Sequence, residues 1–344
     1  MTGGAMQHEL AEQPAVLARL IAGWDENQCR IREVLPAQLR GIVFVARGSS
    51  DNVAVLGRYA AELGTELPVS LAAPSLRTRY GPRAGLADHL IVALSQSGEV
   101  PEIVHAATGL RGAGSRLLAI TNDPASALAD AADLTLALGA GPERAVPATK
   151  TVTAQLVLVL AVAAALAAVC GNGPIVTRRE LDRVPAAVGA LVLDDGAPRR
   201  LAERWRRRNT LQVVGRGLAY GAILEVAIKI RETTGVFAQG ISSADLVHGP
   251  IAALSSRTPV LAVATGGPAD PEPALWQRVR DTGADVATCT PDPRSDLPLA
   301  PDLPELLQGV AVIVRGQQLA SAWARARGLD PDAPAGLTKV TATV

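Results

Sequence analysis

The sequence alternates throughout between short apolar runs of strand length and longer segments with helical periodicity. This alternation is typical of a parallel sheet covered by helices, because parallel strands need long crossover connections and are buried on both faces. The segments that we predict as strands are Gly41–Ala46, Leu67–Ala73, His89–Leu94, Arg116–Thr121, Leu134–Leu138, Thr210–Gly215, Val260–Ala264 and Asp285–Thr290. The chain is therefore predicted to be an α/β protein.

Helices are predicted between these strands. The helical segments are Asp51–Leu63, Glu102–Leu110, Ser126–Ala132, Thr149–Val169, Tyr220–Glu232 and Leu303–Arg327. The longest apolar run, Leu156–Cys170, falls short of the roughly 20 residues that a membrane-spanning helix needs, so we interpret it as a buried helix. The polar stretch from Met1 to Gln13 does not resemble a signal peptide, and no membrane association is expected.

The two halves of the sequence repeat with one offset. Val45-Ala46-Arg47-Gly48 matches Val214-Gly215-Arg216-Gly217, a shift of 214 − 45 = 169 residues. The same shift places Gly98 on Gly267 and Thr121 on Thr290. Three predicted strand ends in one register indicate two copies of one α/β unit.

The repeat and the polar segment between its copies suggest a domain plan. We predict an N-terminal helical segment (1–35), a first domain that binds phosphate (36–170), a linker with a connecting helix (171–200), a second domain (201–330) and a C-terminal tail that reaches the active site (331–344).

Composition excludes several classes of function. The 33 Lys and Arg residues balance 33 Asp and Glu residues, and aromatic residues make up only 3%, so neither a nucleic-acid partner nor an anionic membrane is expected. Cys29, Cys170 and Cys289 form no disulfide framework, which favours a reducing, cytoplasmic compartment. The histidines have no metal-ligand spacing, and we predict no metal and no cofactor.

Small hydroxyl side chains follow two predicted strands of the first half. Ser49 and Ser50 come just after the first strand, and Ser95-Gln96-Ser97 come just after the third. Ligands of parallel sheets bind at the carboxyl ends of the strands, and each loop leads into a helix whose N-terminus favours an anion. Either loop alone is explained as well by ordinary helix caps. Together the two loops predict a phosphate site, although neither has the Walker pattern. In the second half, Gly215-x-Gly217 lacks the third glycine of a dinucleotide fingerprint, so NAD is not expected.

The second half offers acid–base groups. Glu225, Lys229 and Glu232 share one face of a predicted helix, which by itself is also typical of a solvated ion-pair face. His248-Gly249-Pro250 places an imidazole in a turn, where it is either structural or a proton carrier beside a carboxylate. Near the C-terminus, the apolar segment around Lys339 is expected to pack rather than to remain disordered.

Seven motifs occur in the order found in one known family. They are Met6–Pro14, Ser95–Glu99, Ala148–Lys150, Gly215–Gly217, Lys229–Glu232, His248–Pro250 and Leu337–Lys339. In this order the chain resembles the isomerase part of glucosamine-6-phosphate synthases, a double sugar-isomerase (SIS) domain family, over essentially its whole length. The resemblance implies two tandem SIS domains, each a three-layer α/β/α unit of the flavodoxin-like type.

The resemblance also implies roles for single residues. The sugar phosphate would be held by Ser49, Ser50, Ser95, Gln96 and Ser97. Glu232 would move a proton between C1 and C2, and His248, supplied by the neighbouring subunit, would open and close the sugar ring. Lys339 would form a Schiff base with the keto sugar, and Lys229 would orient groups around Glu232 as part of the substrate site. A homodimer with shared active sites follows from these roles.

The sequence departs from the synthase pattern at several points. Val100 stands where the synthases have a phosphate-binding threonine, and Ala148 stands where they have a serine near the sugar. The isomerase-like region begins at once, without the glutaminase domain of the synthases, so we expect no ammonia to be drawn from glutamine. Similar two-domain proteins include glucosamine-6-phosphate deaminases and fructosamine-phosphate deglycases.

The expected function is that of an isomerase that deaminates glucosamine 6-phosphate to fructose 6-phosphate and ammonia. A fructosamine-phosphate deglycase and a sugar-phosphate sensor without catalysis are the alternatives.

Overall fold

The computed structural model describes residues 4–81 and 84–339 and contains two five-stranded parallel sheets. The strands of the first sheet are β1 (Gly41–Val45), β2 (Val69–Leu71), β3 (His89–Leu94), β4 (Arg116–Thr121) and β5 (Leu134–Ala137). Their order in the sheet is β2-β1-β3-β4-β5. This is the strand order of a flavodoxin-like sheet. In such a sheet all strands are parallel, and the order in which the chain adds strands changes direction between β1 and β3.

The second sheet repeats this arrangement. Its strands are β6 (Thr210–Gly215), β7 (Phe237–Ser242), β8 (Pro259–Val263), β9 (Asp285–Thr290) and β10 (Leu297–Pro298). Read from β7, the order is β7-β6-β8-β9-β10, so each strand has a counterpart at the same place in the first sheet. The predicted fold class, two tandem α/β units of one type, is confirmed.

The 169-residue offset holds in the structure. Gly41 and Thr210 begin β1 and β6, and Leu94 and Val263 end β3 and β8. Strands β4 and β9 also begin and end at residues that are 169 positions apart. The repeat in the sequence therefore reflects equivalent strands with equivalent carboxyl ends.

Fourteen α-helices of the described residues surround the sheets. The first seven are α1 (Ala5–Ala22), α2 (Trp24–Glu33), α3 (Ser49–Thr65), α4 (Ser75–Thr78), α5 (Pro101–Gly109), α6 (Ala127–Ala131) and α7 (Lys150–Val169). The others are α8 (Arg178–Leu181), α9 (Val184–Leu193), α10 (Gly196–Trp205), α11 (Tyr220–Thr234), α12 (Ser243–Val247), α13 (Pro273–Asp281) and α14 (Glu305–Ala326). Short 3₁₀ turns occur at Gly217–Ala219 and Pro250–Ala253.

Side chains on the two faces of the first sheet pack against different helices. Val43 and Val45 of β1 join a buried cluster with Ile103 of α5 and other residues of that helix. Phe44, which points to the opposite face, lies against α3 where Gly57 also meets Val159 of α7. Both faces of this sheet are therefore covered, which explains why its central strands β1, β3 and β4 are apolar without alternation.

Helix α7 is the one described helix that is long and apolar enough to cross a membrane, and 89% of its most apolar window is buried. Because Val159 of this helix meets Gly57 of α3, beside Phe44 of the first sheet, we assign its apolarity to the core of that unit. The prediction of a buried helix for the run Leu156–Cys170 is confirmed as far as Ala167, since the helix continues to Val169 but its last residues are exposed.

The chain forms two compact units. One consists of Val16–Pro142 and Thr151–Arg178 and contains the first sheet. The other contains the second sheet and is built from residues 4–15, Glu143–Lys150 and Arg179–Lys339. The proposed boundaries at 36, 170, 201 and 330 stay a prediction, and residues 340–344 of the proposed tail lie outside the described residues.

Two edge strands were missing from the prediction. In β7, Phe237 and Gln239 are exposed and Gly240 interrupts the apolar pattern, so the segment lacks the features of a buried strand. Strand β10 has only two residues, Leu297 and Pro298, and proline is tolerated there because the strand lies at an edge.

Candidate active site

The first serine loop lies at the carboxyl end of β1. Gly48, with φ 60° and ψ −133°, is the N-cap residue of α3 and has no side chain to cap the first turn. Ser49 and Ser50 begin the helix, and Ser50 is buried. A glycine fits here because this backbone conformation is unfavourable for other residues. The loop thus places the N-terminus of α3, an end of a helix that favours an anion, beside the exposed Gly48.

The second serine loop follows β3. Ser95 Oγ accepts a hydrogen bond from Gly98 N (3.1 Å), and Ser97 Oγ accepts one from Glu99 N (3.2 Å). A hydroxyl that accepts an N–H bond keeps its own O–H free to donate. Gly98 has a φ of 68°, and a Cβ there would lie 1.9 Å from Ser126 Oγ. Close packing therefore fixes the loop, while its serine hydroxyls remain available as donors.

Charge at these loops is balanced within the protein. Arg47 donates to both carboxylate oxygens of Glu102, at 3.0 and 2.9 Å. Burial raises the pKa of nearby Asp51, and the positive charge of Arg47 acts in the opposite direction. A phosphate at this place would depend on neutral N–H and O–H donors rather than on an uncommitted cation. Val100, the N-cap residue of α5, adds no side-chain donor.

The corresponding loop of the second sheet already holds an anion of its own. The Asp270 carboxylate accepts hydrogen bonds from the backbone N–H groups of Thr265 (2.9 Å), Gly266 (2.6 Å) and Gly267 (3.2 Å). These N–H groups belong to the loop after β8, the counterpart of the loop after β3. The turn is retained while its anion-binding groups are occupied, which agrees with the hypothesis of one anion site built mainly on the first half.

Helix α11 carries a buried ion cluster. Lys229 Nζ lies 2.9 Å from Glu232 Oε2 and 3.4 Å from Glu225 Oε1. Lys229 and Glu225 are each 1% exposed, whereas Glu232 is 24% exposed. The alternative of a solvated ion-pair face is therefore wrong. Glu232 is the member of this cluster that solvent, or a ligand, can reach.

Two opposing effects act on the Lys229 ammonium. Burial lowers its pKa, but the Glu225 and Glu232 carboxylates outweigh burial, and the pKa is raised above its ordinary value. Lys229 therefore stays protonated and holds Glu232 in position. Its ammonium is committed to these carboxylates, so its part in the substrate site stays a prediction.

The tail brings Lys339 to the same group of charges. Lys339 Nζ donates to Glu143 Oε2 (2.8 Å) and to the carbonyl oxygen of Ala145 (2.7 Å). The Glu143 side chain is fully buried, and its other oxygen accepts from Thr149 N at 2.9 Å. The charge of Glu143 also raises the pKa of Lys229. Lys229, Glu232 and Lys339, singled out in the sequence from separate motifs, thus lie around one set of carboxylates.

Helix α1 contributes two more carboxylates to this unit. Glu9 Oε1 accepts from the N–H groups of Arg144 and Ala145, and Glu12 forms an ion pair with Lys150 at the start of α7. Lys150 is only 2% exposed. The N-terminus of α1 is in turn held by Asp332, whose carboxylate accepts from Ala5 N (2.7 Å) and Met6 N (2.8 Å).

His248 lies apart from these contacts. It follows α12 as its C-cap residue, is exposed, and its imidazole has no hydrogen bond or ion pair with another described residue. Its role in ring opening stays a prediction.

Four further charged residues of the unit that holds this ion cluster were not singled out as site residues from the sequence: Glu9, Glu12, Glu143 and Lys150. Three of them lie in the motifs Met6–Pro14 and Ala148–Lys150. The sequence therefore marked these three residues as parts of motifs but assigned them no role in the site. Glu143 has no such signal, because a single glutamate in a Gly- and Pro-containing loop is ordinary. Within 4–81 and 84–339, no three His, Cys, Asp or Glu side chains form a group that could hold a metal ion.

Comparison with known proteins gives the same picture of the fold. The family model described as the SIS domain matches the chain twice, over residues 37–165 and 205–304. A glutamine–fructose-6-phosphate aminotransferase (isomerizing) from Thermococcus kodakarensis is 33% identical over 347 aligned residues, which cover 97% of this chain and 57% of that protein. The chain thus spans little more than half the length of this curated relative.

Solved structures match over nearly the whole chain. A candidate phosphosugar isomerase from Silicibacter pomeroyi is 32% identical, with a TM-score of 0.82 and coverage of 95% of this chain and 99% of that one. A glucosamine-6-phosphate deaminase from Thermotoga maritima has a TM-score of 0.81 and covers 99% of this chain and 100% of its own, at 22% identity. At that identity the second match is evidence for the fold alone.

Proposed function

The chain belongs to the SIS domain family, and we propose that it is a phosphosugar isomerase that deaminates glucosamine 6-phosphate to fructose 6-phosphate and ammonia. The observation that carries the proposal is the ion cluster in which Glu232 is partly exposed beside the buried, protonated Lys229. A carboxylate that is fixed by a buried cation and open on one side suits the transfer of a proton between adjacent carbons.

Binding would begin at the phosphate. The hydroxyls of Ser49, Ser50, Ser95 and Ser97, the Gln96 residue and the N–H groups at the start of α3 would surround the phosphate oxygens. These donors are neutral, so specificity would come from the number and direction of hydrogen bonds.

The chemical steps would follow on the open-chain sugar. His248 would transfer protons between O5 and O1 to open the ring. Glu232 would remove the proton from C2 and return one to C1, while a second proton moves from the C2 amino nitrogen to the C1 oxygen. These two transfers convert the 2-amino aldose into the C2 imine of the corresponding ketose. The Lys339 amine would replace the imine nitrogen at C2 and release ammonia, and water would then hydrolyse the resulting Schiff base to the ketone and free Lys339.

We also propose a homodimer in which His248 comes from the second subunit. Its exposure and its lack of side-chain partners among the described residues support a role outside its own unit. A reducing compartment such as the cytoplasm suits the three cysteines, all of which are free in the structure.

A coupled assay of ammonia release from glucosamine 6-phosphate tests the function. We expect turnover by the wild type and a loss of roughly 100-fold or more in Glu232→Gln, which keeps a hydrogen-bonding side chain but cannot carry the proton. Glu26→Gln, an exposed glutamate of α2, is the matched control and should retain full activity.

Two results would change the proposal. Cleavage of fructosamine phosphates without deamination of glucosamine 6-phosphate would make the chain a deglycase. Binding of both compounds without any product would make it a sugar-phosphate sensor.

A further inference from the structure

Lys339 occupies a place that is built for an ammonium group. Its Nζ donates to Glu143 Oε2 at 2.8 Å and to the Ala145 carbonyl at 2.7 Å. Both acceptors belong to one short loop, residues 143–145. Both hydrogen bonds are made by the ammonium group alone, without the aliphatic part of the Lys339 side chain. Distances of this length are typical of charge-assisted hydrogen bonds from an ammonium to oxygen.

The loop is held in shape by contacts that do not involve Lys339. Thr149 N donates to Glu143 at 2.9 Å, and Glu9 Oε1 accepts from the backbone N–H groups of Arg144 and Ala145. Glu143 and Glu9 are both more than nine-tenths buried. The acceptors would therefore keep their positions if the lysine ammonium left.

The surroundings require a cation at this place. Around the site the described side chains include five carboxylates, of Glu9, Glu12, Glu143, Glu225 and Glu232, against the ammonium groups of Lys150, Lys229 and Lys339. In addition, Glu9 Oε2 is buried and has no hydrogen-bond partner among the described residues. Loss of Lys339 would remove the ammonium that lies 2.8 Å from the buried Glu143 carboxylate, and losing one partner of a buried ion pair is costly.

We propose that Glu143 and the Ala145 carbonyl form a binding subsite for a primary ammonium group, which Lys339 fills in the free protein. The ligand class is the ammonium ion or the protonated amino group of a small substrate. Glu9 acts as a positioning residue, because it fixes the loop that carries both acceptors.

The subsite deepens the proposed function and rests on it for its biological meaning. When the Lys339 ammonium replaces the imine nitrogen at C2, its nitrogen gives up all three protons and leaves the subsite. The departing nitrogen, which carries one hydrogen in the imine, takes up three protons and leaves as an ammonium ion of the same charge. One ammonium thus replaces another, and the carboxylates keep their counter-charge during the exchange.

The test needs no turnover. Lys339→Ala empties the subsite, and its melting temperature is measured in ammonium chloride, potassium chloride and tetramethylammonium chloride at equal ionic strength. We expect ammonium alone to raise the melting temperature of this variant by about 2–4 °C, because a ligand that binds only the native state stabilises it. The wild type, whose subsite is filled, should show no ammonium-specific shift.

The double variant Lys339→Ala/Glu143→Gln should lose the ammonium effect. An equal shift in potassium or tetramethylammonium, or an unchanged ammonium effect in the double variant, would overturn the proposal. If Lys339→Ala does not fold, Lys339→Met retains the aliphatic chain and is measured instead. The ammonia-release assay of the wild type fails or succeeds independently of these melting temperatures, so the two proposals can be told apart.

Discussion

Glu232 and Lys229 are three residues apart on one helix, but solvent reaches them very unequally. The Lys229 side chain is 1% exposed and Glu232 is 24% exposed. Burying a lysine costs several kcal/mol unless carboxylates compensate it, and Glu225 and Glu232 supply that compensation here. Burying these charges is a costly way to stabilise a fold. The arrangement is better explained by the need for a carboxylate that has one fixed side and one accessible side.

Val100 is the residue at which a single hydroxyl should strengthen phosphate binding. It has extended backbone angles as N-cap of α5 (φ −70°, ψ 110°), which suit threonine. We expect Val100→Thr to bind a sugar phosphate about 3- to 10-fold more tightly, as one added hydrogen bond would give. Calorimetric titration of the variant and of Val100→Ala, which adds no donor, checks this; equal affinity of the two variants would remove Val100 from the phosphate site.

Glu9 should give the protein a pH-dependent stability. Burial raises its pKa, the hydrogen bonds from Arg144 and Ala145 lower it, Glu143 raises it and Lys339 lowers it, with a net rise above 4.5. A group whose pKa is higher in the folded state stabilises the fold below its unfolded pKa, and that contribution is lost as the pH rises through the folded pKa.

The variant Glu9→Gln removes this titration and keeps an oxygen acceptor for the loop. Relative to wild type, its melting temperature should therefore improve as the pH is raised from about 4.5 to 8, a direction that follows from the raised pKa. Thermal unfolding across this range, with the exposed Glu26→Gln as control, measures the difference. A difference between Glu9→Gln and wild type that stays constant with pH would show that Glu9 does not titrate here.

Helix α1 depends on a residue more than three hundred positions away for its N-terminal cap. Its first turn contains no acidic residue, and the N–H groups of Ala5 and Met6 donate to the Asp332 carboxylate instead. The backbone carbonyl of Asp332 also accepts from Val146 N at 2.9 Å. The beginning of α1, the 143–150 segment and the tail are thus joined at one residue.

Removing this cap should weaken the fold by a measurable amount. We expect Asp332→Ala to lower the free energy of unfolding by about 0.5–2 kcal/mol, the usual cost of losing a helix cap. Asp332→Asn, which retains an oxygen acceptor, should lose less. Denaturant titration compares the variants, and an alanine variant as stable as wild type would show that water replaces the carboxylate.

Strands and helices could be predicted where neighbouring residues of the sequence alone show a clear apolar pattern. Strands β3 and β4 were predicted with their observed ends, because nearly continuous burial on both faces produces unbroken apolar runs. The edge strand β7 was missed since one side of it meets solvent, and its exposed Phe237 and Gln239 carry no strand signal. Helix ends differed by a few residues, as at α11, which continues to Thr234 and ends at the left-handed Gly235.

At the scale of the whole chain, the two sheets have equal order but unequal loops. Asp270 occupies the N–H groups after β8, whereas the serine hydroxyls after β3 remain free to donate. The sequence indicated this difference through its hydroxyl cluster. It marked Glu9 only as part of a motif without a role, and it did not mark Glu143. The contacts of Glu9 with Arg144 and Ala145, and of Glu143 with Lys339, join segments that are far apart in the sequence, and no local periodicity marks such contacts.

The proposed shared active site makes a prediction about mixed dimers. His248→Ala and Glu232→Gln should each be inactive alone, but a mixed dimer would contain one site with both native residues. Random mixing by co-expression should restore about a quarter of wild-type ammonia release, since half of the dimers are mixed and each has one intact site. Two inactive variants that remain inactive after mixing would show that each chain completes its own site.

The unit that holds the second sheet is assembled from three separate stretches of chain, residues 4–15, 143–150 and 179–339. A truncated protein that starts at Arg179 would keep α11 and Lys339 but would lose Glu9 and Glu143. Its lysine would then have neither of the loop acceptors, and the unit would lack residues 5–15, the first part of α1. Dissecting this protein into halves therefore requires cuts that follow the interleaved path of the backbone rather than the sequence repeat.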